Sequence, residues 1–245
     1  MDNSGGQLMI MMTKRAFKVL SVWIIGFLLC FSGCGRPEEK QTYANAVSGT
    51  VVLDAGHGGI DGGVSGTVTG VKESDLNLEI VKELAACFRA GGFKVVLTRK
   101  GAGGLYGLPT KGFKRRDMEK RKEIANGSDA DLFLSVHLNF YPSSSRRGAQ
   151  VFYKENDERS KAFADALQRS LNASPDQPKD YSTLKGDYYV LNECNCVCAL
   201  AECGFLSNPE DEELLRQKSY REKIAYYLYR GSVDYLLSRQ STRSE

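Results

Sequence analysis

Short apolar segments alternate with amphipathic segments along most of this chain, and this alternation limits its fold more than any other feature. "TVVLDA" (residues 50–55) has the pattern of a buried strand, whereas "ESDLNLEIVKELAACFRAGG" (73–92) repeats its apolar residues with a helical period and ends in two glycines. Further strands are predicted over residues 93–99, 130–139, 148–154, 188–192 and 196–202, and further helices over 113–127, 157–173, 208–217 and 220–238. The alternation predicts a single α/β domain: a twisted, mostly parallel or mixed sheet of about six strands with helices on both faces.

The N-terminal segment does not follow this pattern. Lys14, Arg15 and Lys18 precede "VLSVWIIGFLLCFSGC", an uncharged apolar run shorter than the roughly 20 residues that a membrane span needs. Residues 1–34 are therefore interpreted as an export signal. Its end is similar to a bacterial lipoprotein signal in which Cys34 is lipidated, and an ordinary signal or an uncleaved anchor are the alternatives.

The remaining boundaries follow from composition. Residues 35–49 are polar without an apolar period and are predicted to be a tether, residues 50–238 the folded domain, and residues 239–245 a C-terminal tail. The signal, tether and domain together predict an exported protein held on the outer side of the cytoplasmic membrane by a lipid or an N-terminal anchor.

Charge and cysteine content exclude two broad classes. The net charge is +3, and residues 1–34 contain three of the basic residues and one acidic residue, so the remainder is nearly neutral and no nucleic-acid partner is expected. The seven cysteines have no regular spacing and do not form a disulfide framework. The cluster Cys194, Cys196, Cys198 and Cys203 is expected to pack in the core, with metal binding or redox chemistry as the alternative.

Candidate functional groups lie at the ends of predicted strands. His57 follows the first strand, His137 ends "LFLSVH" and Glu202 ends "CALAE", so parallel strands would bring all three to one edge of the sheet. Glu73 becomes a fourth if the glycine-rich loop before it folds back toward His57. A surface histidine and a helix first-turn glutamate are the simpler interpretations of His57 and Glu73, whereas Glu202 stands in an otherwise apolar strand.

Two histidines and a carboxylate suit zinc, because they leave one tetrahedral position for water. A second carboxylate that does not bind the metal would then take the proton of that water. Competing motifs are absent: the loop lacks G-x-x-x-x-G-K-[ST], "GHGGID" has Asp61 where a dinucleotide-binding loop needs glycine or alanine, and no G-x-S-x-G occurs.

Five separated motifs resemble one family. "VVLDAGHGGIDGG", "KESDLNLEI", "LTR", "ANGSDADLFLSVHLN" and "LAECGFLSNPEDEELL" occur in the order and spacing of the zinc-dependent N-acetylmuramoyl-L-alanine amidases of the Amidase_3 type. "LPTKGFKRRDMEKRK" and "FYPSSSRRGAQVFYK" are similar to its spore-cortex, germination-specific (CwlD-type) branch.

The resemblance implies a hydrolase (EC 3.5.1.28) that cuts the amide between N-acetylmuramic acid and L-alanine in peptidoglycan. Carried over by position, it implies one Zn²⁺ held by His57, Glu73 and His137, with Glu202 as the general base. For the spore-cortex branch it implies the first step toward muramic-δ-lactam, which germination requires. It also implies a lipoprotein activator, which some members of that branch need.

Two other functions remain compatible with these residues. The first is a different zinc-dependent peptidase or deacylase of the cell wall that uses the same four groups. The second is a partner-dependent, weakly active or silent wall-binding homologue, against which the presence of all four groups argues.

Overall fold

A computed structural model describes residues 48–241 of the chain. The predicted signal over residues 1–34, the lipidation at Cys34, most of the tether and the end of the predicted tail lie outside the described residues. Between residues 48 and 241, no helix is both long enough and apolar enough to cross a membrane.

Six strands form one mixed sheet. They are β1 (Thr50–Ala55), β2 (Lys94–Leu97), β3 (Leu132–Asn139), β4 (Gln150–Tyr153), β5 (Leu184–Lys185) and β6 (Val197–Phe205). Their order across the sheet is β2-β1-β3-β6-β4-β5. The first four in that order are mutually parallel, β4 runs antiparallel to β6, and β5 runs parallel to β4. β1, β3 and β6 are apolar almost throughout because both of their faces are covered.

Helices cover both faces of the sheet, as predicted. They are α1 (Glu73–Ala90), α2 (Phe113–Asn126), α3 (Glu158–Asn172), α4 (Tyr189–Asn192), α5 (Pro209–Arg216) and α6 (Lys218–Ser241). The larger apolar cluster lies between one face of the sheet and α1, α3, α5 and α6. The smaller lies between the other face and α2 and α4.

Local signals determine where several helices begin. The Asp157 carboxylate accepts hydrogen bonds from the backbone N–H groups of Arg159 and Ser160 and so starts α3. The Asn208 side chain caps α5, in which Pro209 occupies the first position. α1 begins with Glu73 and Asp75, whose negative charges are favourable at the positive end of the helix dipole.

The segment 188–192, predicted to be a strand, is instead the short helix α4. Its composition favours a strand, but the helical turn lets Val190 and Leu191 both pack into the smaller cluster. The sixth strand is β5, which lies in a segment predicted to be a loop and pairs with β4.

Three of the four clustered cysteines, Cys194, Cys198 and Cys203, are buried in the core, as expected, and Cys196 is partly buried. β6 begins at Val197, one residue later than the predicted strand. Cys194 and Cys196 lie in the preceding turn with their Sγ atoms 3.3 Å apart. Cys198 is buried in the smaller cluster with Cys194, whereas Cys203 is buried in the larger one on the opposite face.

Candidate metal centre

His57 lies immediately beyond the carboxyl end of β1, in a loop that approaches β3 very closely. A Cβ atom on Gly56 would overlap the imidazole ring of His137, so only glycine lets the two segments come together. His57 itself adopts a φ of 61°, in the left-handed region that non-glycine residues rarely occupy. Glycine before the histidine therefore has a steric role in bringing the two imidazoles together.

Glu73, the first residue of α1, places its carboxylate between the two histidines. Its Oε2 is 3.3 Å from Nε2 of His57, and its Oε1 is 2.9 Å from Nδ1 of His137. The backbone N–H groups of Val64 and Leu138 also donate to this carboxylate. Burial raises the pKa of Glu73, but the hydrogen bonds and charges of His137 and His57 outweigh it and hold the pKa well below its usual range.

Asp61 orients His57 from the other side of the ring. Its Oδ2 is 3.0 Å from Nδ1 of His57, which leaves Nε2 directed at Glu73. Burial lowers the pKa of His57, but Glu73 and Asp61 together outweigh it and raise the pKa to about 9. A carboxylate on the far ring nitrogen is the usual partner of a metal-binding histidine, because it fixes the proton on that nitrogen.

The three side chains form a ligand set of the kind that zinc prefers. One ligand atom from each of His57, Glu73 and His137 lies within 4.8 Å of the others. Two ligands of a tetrahedral zinc ion, each about 2.1 Å from the metal, are about 3.4 Å apart, which matches the separation of His57 and Glu73. Both histidines are partly exposed, so a fourth position would be open to water.

Glu202 lies beside this cluster on the neighbouring strand. His137 of β3 is directly paired with Glu202 of β6, so both side chains leave the same face of the sheet. The Glu202 side chain is 7% exposed, and within the described part of the chain its Oε2 has no hydrogen-bond partner. Burial raises the pKa of Glu202 to about 7. A carboxyl group with such a pKa is suited to taking and returning a proton near neutral pH.

A buried ionic network behind His57 was not identified from the sequence. The guanidinium of Arg121 on α2 donates to the Asp54 carboxylate and to the backbone carbonyls of Ala55 and His57, the last at 2.6 Å. Asp117 accepts a further bond from Arg121. A charged residue in the apolar run "VVLDA" was the available signal, because a carboxylate in a buried strand needs a partner.

The structure thus brings together all four residues singled out from the sequence. The glycine-rich loop folds back toward His57, so Glu73 lies beside His57 although 16 positions separate them. A cavity of about 220 Å³ opens beside the cluster, and Lys114, His57 and His137 are among its lining residues.

Comparison with known families agrees with this geometry. Residues 51–232 match the Amidase_3 family model, which describes N-acetylmuramoyl-L-alanine amidases. The chain belongs to this family. All four clustered residues fall inside the matched range of the amidase domain.

Two curated relatives show how far the likeness extends. The germination-specific N-acetylmuramoyl-L-alanine amidase of Bacillus subtilis (strain 168) is 34% identical over 238 residues, which cover 92% of this amidase and 98% of that protein. The N-acetylmuramoyl-L-alanine amidase LytC of the same organism is 31% identical over 191 residues, which cover 77% of this chain but 36% of the longer LytC.

Solved structures of amidases have the same fold as this chain. The CwlD amidase from Clostridioides difficile, in complex with the GerS lipoprotein, superimposes with a TM-score of 0.75 and 36% identity, covering 78% of this chain and 99% of that one. An N-acetylmuramoyl-L-alanine amidase from Clostridium difficile 630 gives a TM-score of 0.70 at 29% identity, covering 78% of this amidase and 97% of that chain. The mixed six-stranded sheet is therefore the Amidase_3 fold.

Proposed function

We propose that this protein is a zinc-dependent N-acetylmuramoyl-L-alanine amidase that cuts the amide between the lactyl group of N-acetylmuramic acid and L-alanine. The observation that carries the proposal is the position of Glu202, a buried carboxylate without a partner in the described structure, next to a His-Glu-His cluster. Such an arrangement is needed to hydrolyse an amide with a metal and a separate general base.

In this proposal His57, Glu73 and His137 hold one zinc ion. Glu73 is fixed by the N–H groups of Val64 and Leu138, and His57 is fixed by Asp61, so the site is preorganised. Zinc, when bound, lowers the pKa of water at the site and polarises the scissile carbonyl.

Glu202 acts as the proton carrier. Its carboxylate takes the proton from the attacking water and then gives it to the nitrogen of the leaving L-alanine, which departs as an amine. Its raised pKa supports both roles, because the group exchanges protons readily near pH 7. Since burial removes competing water, the carboxylate is available for the reaction.

We extend the proposal to the spore cortex. The B. subtilis relative that is named germination-specific aligns with almost its whole length, which supports a role in germination for this chain. There the enzyme would strip peptide from muramic acid as the first step toward muramic-δ-lactam. The enzyme would be exported and tethered through the N-terminal segment, with lipidation at Cys34 as one form of the tether.

A lipoprotein activator is a second part of this extension. The solved C. difficile relative is in complex with a lipoprotein, and this likeness supports a similar partner here. Such a partner would act on an already assembled ligand set, because the three side chains lie together in the chain on its own.

Product analysis tests the proposed activity. Purified protein loaded with zinc should release stem peptides with a free L-alanine amine from intact glycan strands, detected by mass spectrometry. The Glu202→Gln variant should retain about one zinc per chain but lose at least about a hundredfold in kcat, a typical loss on removing a general base. Cleavage within the stem would identify a peptidase instead, and wild-type turnover by Glu202→Gln would exclude Glu202 as the base.

A further inference from the structure

A basic groove lies at the same edge of the sheet as the metal centre. It encloses about 640 Å³, and its lining residues include Arg146, Gln150, Lys179 and Tyr181. We refer to the groove lined by these four residues as the basic groove. They come from the loop before β4, the start of β4 and the loop before β5, so the groove forms where β4 and β5 begin.

The strand register connects the groove to Glu202. Gln150 of β4 is paired with Glu202 of β6, and Glu202 is paired in turn with His137 of β3. Paired residues point to the same face, so the three side chains form a row across adjacent strands. Directly opposed Cβ atoms in an antiparallel pair are about 5 Å apart. The groove therefore begins one strand away from the carboxylate that we assign as the base.

Two positive charges in the groove have no acidic partner among the described residues. Among the ion pairs of residues 48–241, neither Arg146 nor Lys179 takes part. Arg146 instead lies 4.6 Å from the ring centre of Tyr141, and Lys179 lies 4.9 Å from that of Tyr181. The neighbouring Arg147 differs, since it pairs with acidic residues of α5.

We propose that the basic groove binds the carboxylates of the peptide stem and so selects substrates whose stem carries free carboxylates. This inference rests on the proposed function, because it assumes that the scissile amide lies between His137 and Glu202. Tyr141 and Tyr181 hold the two cations above their rings, which reduces the side-chain entropy that binding an anion would cost.

The length of the stem fits this placement. The residue after L-alanine in the stem carries a carboxylate on its Cα atom. One extended residue spans about 3.3–3.6 Å, so that carboxylate lies about 7 Å from the scissile nitrogen. Gln150 is paired with Glu202 on the neighbouring strand, with Cβ atoms about 5 Å apart, and both cations line the groove that includes Gln150.

The charge of the groove also indicates that the peptide and the glycan bind in different parts of the site. Uncharged sugar rings gain nothing from two cations, whereas a stem with two carboxylates gains charge-assisted hydrogen bonds. The glycan strand should therefore cross the opposite side of the metal centre, toward the cavity that Lys114 lines.

Paired substrates test the inference. We compare muramoyl peptides whose stem carboxylates are free with the same peptides carrying carboxamides. The zinc-loaded wild type should favour the free carboxylates by roughly 5- to 20-fold in kcat/KM, mainly through KM, and added salt should reduce the preference. In the double variant Arg146→Gln, Lys179→Gln the preference should fall toward 1. The control Arg230→Gln alters an exposed arginine on α6, on the other face, and should keep the full preference.

A binding measurement separates this inference from the proposed activity. The free tripeptide and its carboxamide form are titrated into the Glu202→Gln protein, so that no turnover is needed. Tighter binding of the carboxylate form, lost on adding the two groove substitutions, supports the groove even if the amidase assay fails. Equal affinity for both peptides, or a preference that survives in the double variant, overturns the inference while leaving the amidase activity intact.

Discussion

Glu202, to which we assign the role of general base, is unfavourable for folding when it is ionised. It lies within β6, a strand in which every residue is buried, and its carboxylate lacks a partner within the described structure. Burial raises its pKa to about 7, so the folded protein binds this proton more tightly than the unfolded chain does. The ionised form that the proposed reaction needs is therefore the form that destabilises the fold.

As a result, the difference in stability between the wild type and the Glu202→Gln variant should depend on pH. Below about pH 4.5 the carboxyl is protonated in both the folded and unfolded states and costs nothing. As the pH rises from about 4.5 to 7, the wild type loses stability relative to the variant, by an upper limit on the order of 3 kcal/mol. Urea unfolding of the metal-free proteins at pH 5 and pH 8 measures this difference.

An exposed glutamate provides the matched control. Glu213 on α5 is 64% exposed, and its replacement by glutamine should change the stability by a similar small amount at both pH values. If the gain in stability from Glu202→Gln were the same at pH 5 and pH 8, the pKa of Glu202 would not be raised in the folded protein.

At the scale of elements, Arg121 connects α2 to the carboxyl end of β1 and to the loop beyond it. Arg121 is 1% exposed and bonds to Asp54, to two backbone carbonyls beyond it and to Asp117 of its own helix. One of these carbonyls belongs to His57, whose backbone has an unfavourable positive φ. The helix thus supports the loop conformation that directs the imidazole at Glu73.

We predict that Arg121→Lys weakens zinc binding while the protein still folds. A lysine keeps the charge near Asp54 but lacks the planar fork that contacts several acceptors at once. Loss of support behind a metal ligand typically lowers metal affinity by about 10- to 100-fold. Competition with a chromophoric chelator measures the affinity, and circular dichroism checks the fold.

Arg115→Lys is the matched control for this prediction. Arg115 lies on the same helix, but its side chain is 85% exposed and pairs with Glu119 of that helix. It should bind zinc as the wild type does. Equal zinc affinity in all three proteins would show that Arg121 has a role in folding alone.

The sequence predicts long elements better than short ones. The period of α1 and the apolar runs of β1 and β3 cover enough residues for the pattern to be unambiguous. α4 has four residues, and its aromatic and β-branched composition favours a strand. Its packing in one cluster with Cys198 and Phe133 favours a helix instead, and the sequence does not reveal that packing. β5 has two residues and exists only because it pairs with β4.

At the scale of the whole molecule, the alternation of strands and helices was sufficient to place the site. Parallel β1, β3 and β6 end at the same edge, which brings His57, His137 and Glu202 together from distant parts of the chain. The contact between Asp54 and Arg121 was not predictable in the same way. It depends on which turn of α2 faces the sheet, and the sequence pattern of a charged helix does not specify that.

Metal binding should stabilise the whole domain, because the ligands come from segments that are far apart in sequence. His57 follows β1, Glu73 begins α1 and His137 lies near the end of β3. An ion held by all three would therefore link these elements only in the folded state. A ligand at about 100 times its Kd stabilises the fold by about 2.7 kcal/mol. For a domain of this size we therefore predict that saturating zinc raises the Tm by about 5–10 °C.

Thermal unfolding with and without zinc measures this shift. The double variant His57→Ala, His137→Ala should show no shift, because it lacks two of the three ligands. Mg²⁺ should also leave the Tm unchanged, since it prefers oxygen ligands in octahedral geometry. A zinc-dependent rise in Tm that persists in the double variant would place the metal elsewhere on the chain.

A lipoprotein partner that strengthens zinc binding must, by linkage, bind more tightly to the zinc-loaded protein. Zinc and the partner added together should therefore raise the Tm by more than the sum of their separate effects.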